Sequence, residues 1–89
     1  MLAHVSVSGR VQGVGFRYSA QQQARKLQLT GWVLNKPNGT VELEVEGAEQ
    51  QVHAFLQALK KGFTPFIHVE NMEVNLNEND KGYDDFSIK

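Results

Sequence analysis

Cysteine is absent from this chain, which removes disulfide staples, thiolate metal sites and thiol catalysis together. Nothing requires an oxidising compartment, and the core must hold by packing alone. An excess of either charge is missing as well. Nine Lys and Arg against ten Asp and Glu leave a net charge of −1 with the histidines neutral, so there is no electrostatic footprint for nucleic acid or an anionic membrane. No apolar run approaches the ~18 residues of a membrane span, and Met1-Leu2-Ala3-His4 has no basic leader region. The expectation is a cytoplasmic protein with no nucleic-acid and no membrane partner. The composition that is present, 40% apolar and 21% charged, is ordinary for a globular chain and argues against disorder. At 89 residues it fits one small domain, residues 1–89, whose size and balanced surface suggest a monomer.

Alternation marks the strands. Ala3, Val5 and Val7 share one parity and His4, Ser6 and Ser8 the other, a half-buried strand over residues 2–8. Gly9 to Gly15 is a glycine-rich loop. From Phe16 the period changes, and Phe16, Ala20, Ala24 and Leu27 form one stripe of a helix. A second strand follows from Trp32 to Lys36, ended by the turn Pro37-Asn38-Gly39. In the third, Val41, Leu43 and Val45 alternate with Glu42, Glu44 and Glu46, which are expected on the solvent side. A second helix spans about Ala48 to Lys61, with Val52, Phe55, Leu56 and Leu59 as its apolar stripe and Gly62 as its cap. In the fourth strand, Val69 to Leu76, the apolar parity slips by one residue, which predicts a bulge near Glu70-Asn71. Tyr83 to Lys89 is a candidate short fifth strand. The order β-α-β-β-α-β is that of a ferredoxin-like α+β fold, an antiparallel sheet with two helices on one face.

The densest chemistry lies in Gly9-Arg10-Val11-Gln12-Gly13-Val14-Gly15-Phe16-Arg17. Glycines let successive backbone N–H groups turn into one concavity, and a helix N-terminus adds partial positive charge. Arg17 at the helix start can present a planar fork of donors to a phosphate. The alternative is a plain glycine-rich turn with Arg17 in solvent. Walker A and dinucleotide fingerprints are both absent, so a phosphate site here is of another kind. Asn35 ends the second strand with the parity of Val33; its uncharged amide suits orienting a water, although the residues alone favour a strand-end Asn capping its own turn. Asn38 is explained by Asn-Gly turn chemistry. His4, His53 and His68 show no metal-ligand spacing and are expected in solvent, Glu42, Glu44 and Glu46 are expected to be surface rather than a metal patch, and Asp84-Asp85 has no identifiable partner.

The segment Val7 to Arg17 is similar along its whole length to the phosphate-binding signature of the acylphosphatase family. Gly31-Trp32-Val33-Leu34-Asn35, with Gly39, Val41 and Gly47, resembles that family's second signature, and the resemblance spans nearly the whole chain. Two departures stand out: Leu34 replaces a usually polar or basic residue, and Phe63-Thr64-Pro65-Phe66-Ile67 is more apolar than the usual connector. The resemblance implies hydrolysis of acyl phosphates to a carboxylate and inorganic phosphate, with no metal and no cofactor. It casts Arg17 and Asn35 as the catalytic pair and the backbone N–H groups of Gln12, Gly13, Val14, Gly15 and Phe16 as the phosphate cradle. The implied partner is a small-molecule acyl phosphate. An RNA-binding module of the same fold uses aromatic and basic residues on its sheet face, where this chain carries Glu42, Glu44 and Glu46. A carrier domain that binds phosphate without turnover is a further alternative, disfavoured by the intact Arg17–Asn35 pair. The lack of cysteine disfavours a metal chaperone.

Overall fold

The computed structural model describes residues Met1–Lys89. Its elements run β1 (Leu2–Arg10), α1 (Phe16–Lys26), β2 (Thr30–Asn35), β3 (Val41–Glu46), α2 (Glu49–Lys61), β4 (His68–Asn77) and β5 (Phe86–Ile88). The sheet order is β4-β1-β3-β2-β5. The first four strands pair antiparallel, whereas β5 joins parallel to β2, so the sheet is mixed at that edge. This is the expected ferredoxin-like α+β arrangement with the fifth strand realised.

Parity decides what is buried. Ala3, Val5, Val7, Val33, Val41, Leu43 and Val45 meet Phe16, Ala20 and Ala24 of α1 and Val52, Phe55 and Leu59 of α2 in one apolar cluster. Phe86 of β5 joins it, which anchors an otherwise minimal strand. Gly62 takes a left-handed conformation and ends α2, its N–H donating to the Leu59 carbonyl. The apolar connector packs rather than dangles. Phe63 stacks against Phe16 and Phe55 at centroid distances of 5.6 and 5.8 Å, and Ile67 is buried, while Phe66 stays in solvent. The expected bulge is present: Ser8 faces Asn71 and Gly9 faces Val69, leaving Glu70 unmatched.

The other sheet face departs from expectation. Glu44 and Glu46 are not on a solvated surface but only 3% and 4% exposed. The residues from Lys81 to Tyr83 fold over this face and cover them. Glu46 accepts from the backbone N–H groups of Lys81, Gly82 and Tyr83. Glu44 accepts from the Tyr83 hydroxyl at 2.6 Å and from the Lys81 ammonium at 3.1 Å, and the Trp32 indole donates to Tyr83 at 2.9 Å. Nor is His4 simply solvated: Nδ1 lies 2.7 Å from Glu44 and Nε2 2.7 Å from Glu42. Burial works to raise the Glu44 pKa, but hydrogen bonds from Tyr83, His4 and Lys81 outweigh it and bring it down to about 2. Among the remaining sequence candidates, His53 is exposed near Glu49, and Asp85 pairs on the surface with Arg25 at 3.2 Å.

Candidate active site

β1 delivers the chain to one end of the sheet at Arg10, and α1 starts at Phe16, so residues 11–15 must reverse direction in five positions. Gly13 and Gly15 do this at φ of 75° and 79°, with open space where a Cβ would stand. Gly15 is the N-cap of α1 and brings no side chain to its free N–H groups, and the first turn holds no acidic residue. The helix therefore keeps its full N-terminal positive end for an external anion. The loop is equally uncommitted: Gln12, Gly13, Val14 and Gly15 donate no backbone hydrogen bond to another backbone group.

Arg17 follows one residue into the helix and is half-buried. Across from it, Asn35 ends β2 opposite Val41. A cavity of about 200 Å³ joins the two, lined by Val11, Gly13, Gly15, Phe16, Arg17, Tyr18, Asn35 and Ile88. That volume is below the range of a pocket for a drug-sized molecule and suits a phosphoryl-sized group. The Asn35 carbonyl oxygen Oδ1 is buried and accepts no hydrogen bond. A buried acceptor left this way costs about 1–3 kcal/mol, so it offers a strong position to an incoming donor. The turn-capping alternative for Asn35 is thus not what its Oδ1 does; Asn38 caps that turn, accepting from the N–H and hydroxyl of Thr40.

Most of the sequence-predicted residues meet here. Gly13, Gly15, Phe16, Arg17 and Asn35 line the cavity; Val14 instead packs its side chain against the core, and the Gln12 side chain turns away to the β2–β3 hairpin. Tyr18 and Ile88 were not singled out by sequence. Tyr18 was foreseeable from its place beside Arg17, but Ile88 arrives from the far end of the chain through the β2–β5 pairing. A larger, open groove of about 820 Å³ runs between α1, α2 and the connector residues Phe63, Thr64 and Pro65, and is lined by Lys26 and Lys61 but by no residue of the glycine loop. Backbone donors left without an acceptor beside Arg17, not volume, distinguish the smaller cavity.

The acylphosphatase family model matches residues 3–88. An acylphosphatase of Bacillus licheniformis is 46% identical over 84 residues, covering 94% of this chain and 92% of that protein. One from Clostridium beijerinckii is 49% identical over 83 residues, covering 93% and 91%. The crystal structure of acylphosphatase from Bacillus subtilis superposes with a TM-score of 0.93 at 43% identity, covering 100% of this chain and 99% of that one. With that match spanning both the glycine loop and the strand that ends in Asn35, this chain belongs to the acylphosphatase family.

Proposed function

We propose that this chain hydrolyses the carboxyl-phosphate bond of acyl phosphates by direct attack of water, giving a carboxylate and inorganic phosphate. The observation that carries this reading is one cavity with two opposed functions. Uncommitted N–H groups and Arg17 share one cavity with Asn35, whose buried side-chain oxygen has no hydrogen-bond partner.

The leaving group is a carboxylate with a conjugate-acid pKa of roughly 4–5, so it departs as an anion and needs no general acid. A loose transition state spreads negative charge over the phosphoryl oxygens. The N–H groups of Gln12, Gly13, Val14, Gly15 and Phe16 are the donors available for that charge, and Arg17 can engage two oxygens through its planar fork. Asn35 Oδ1 accepts one O–H of the attacking water and holds its lone pair towards phosphorus. Asn is not a base, so the water's second proton passes to a phosphoryl oxygen of the substrate. Neither a metal nor a covalent enzyme intermediate takes part.

The test is release of phosphate from benzoyl phosphate with EDTA present. Turnover that survives the chelator and is inhibited competitively by inorganic phosphate is the expected result. A strict requirement for added Mg²⁺, or binding of benzoyl phosphate without hydrolysis, overturns the proposal, the second outcome favouring a carrier domain.

A further inference from the structure

The Gln12 side chain spans from the phosphate loop to the hairpin that carries Asn35. Its amide nitrogen has two hydrogens, and both are used: one goes to the Lys36 carbonyl at 2.9 Å, the other to the Thr40 carbonyl at 2.8 Å. Those carbonyls already close the hairpin, Thr40 accepting from the Lys36 N–H at 2.8 Å and Lys36 accepting from the Gly39 N–H at 3.1 Å. Each carbonyl has two lone pairs, so the Gln12 amide takes the second acceptor site of both. The hairpin would form without it. What the amide adds is a fixed separation between two chain segments that are otherwise remote in sequence.

That separation matters for a specific reason. Lys36 is bonded directly to Asn35, and Gln12 belongs to the loop whose uncommitted N–H groups are the proposed phosphate cradle. The Asn35 Oδ1 has no hydrogen bond to hold it, so its place relative to the loop depends on the backbone at 35–36. We infer that the Gln12 side chain is a positioning residue that sets the distance between the phosphate cradle and the water-orienting Asn35. It acts through main-chain carbonyls and touches neither substrate nor water. This inference rests on the proposed role of Asn35.

The experiment is a double-mutant cycle of Gln12→Met and Asn35→Ala, assayed with benzoyl phosphate and with inorganic phosphate as inhibitor. Met keeps the length of Gln and carries no donor. A misplacement of reacting groups by about 1 Å costs up to ~100-fold in rate, so Gln12→Met should lower kcat by about 10- to 100-fold, while the inhibition constant for phosphate stays within about twofold. In the Asn35→Ala background the same change should cost almost nothing further, because two residues acting on one step are not additive. Gln12→Leu also removes both donors without adding charge, and should show the same fall in kcat where Gln12→Met folds poorly. Unchanged kcat in either variant overturns the inference, as does full additivity with Asn35→Ala or a loss of phosphate binding that parallels the loss of kcat. If Asn35→Ala itself retains wild-type turnover, the catalytic role of Asn35 fails instead, a result distinguishable from failure of the Gln12 clamp alone.

Discussion

Arg17 and Asn35 occupy one cavity but answer to different physical demands, so their substitutions should fail differently. Lys in place of Arg17 keeps the charge and loses the planar fork that grips two oxygens. Arg17→Lys is expected to weaken phosphate inhibition and turnover together, with little loss of fold, since Arg17 is only half-buried and outside the apolar cluster. Asn35→Ala should lower kcat by about 10²- to 10³-fold while phosphate affinity stays nearly intact. Asn38→Ala is the control: it removes the cap on Thr40 without reaching the cavity, and inactivity equal to that of Asn35→Ala would assign the effect to the turn. Steady-state kinetics and phosphate inhibition on the three variants separate these outcomes. The local patterns, a glycine loop opening a helix and a strand end before a turn, leave each residue with a plain structural alternative, and it is the resemblance to the acylphosphatase family that singles out the pair. Gln12's side-chain role was not legible in sequence. Its acceptors are main-chain carbonyls 24 and 28 residues away, and a carbonyl leaves no mark on residue type.

Between elements, the tightest tolerance is where β2 passes β3. At Gly31, φ is 144°, and a Cβ would stand 1.9 Å from the Glu44 carbonyl oxygen. The Gly31 N–H also donates to the Asp85 carbonyl at 2.9 Å, which draws in the segment leading to β5. Gly39 in the neighbouring turn also has positive φ, 90°, but meets nothing within 4 Å. Gly31→Ala therefore combines backbone strain of about 1–2 kcal/mol with overpacking of about 1–3 kcal/mol, whereas Gly39→Ala carries the strain alone. Urea unfolding should show Gly31→Ala as the more destabilised by at least about 1 kcal/mol; equal losses would mean that β2 moves aside to accept the methyl group. The elements themselves were readable from periodicity, down to the bulge at Glu70, because the parity slip between Val69 and Met72 is a property of the strand alone. The parallel course of β5 was not readable, since three residues with one buried Phe do not indicate which neighbour they pair with. Alternation also says only that Glu42, Glu44 and Glu46 share a face. Whether that face is wet depends on Tyr83, and no pattern within β3 refers to it.

Across the whole molecule the sheet separates two chemistries. Asn35 shares the parity of the buried Val33 and faces the helix side, where the cavity lies, while Trp32 reaches Tyr83 and Glu44 on the opposite face. Stability held in the polar face should therefore be removable without touching catalysis. Glu44 is the group to test. Its pKa falls from 4.5 to about 2 on folding, so the folded protein binds fewer protons there than the unfolded chain does. The resulting stabilisation is complete above about pH 5, on the order of 3 kcal/mol, and is lost as the pH falls through 4.5 towards 2. Glu44→Gln preserves the shape and removes the charge. Urea unfolding at about pH 7 should place the variant well below wild type, and the gap should shrink to less than half by about pH 3, because wild-type Glu44 loses its advantage as the unfolded carboxyl protonates. Benzoyl phosphate hydrolysis by the folded variant at about pH 7 should stay within about twofold of wild type, since the lost contacts lie across the sheet from Asn35. A gap that stays constant down to about pH 3 would show that the carboxylate charge does not contribute. A fully folded Glu44→Gln protein with impaired turnover would show that the two faces communicate, through Tyr83 and the strand that carries Ile88 into the cavity.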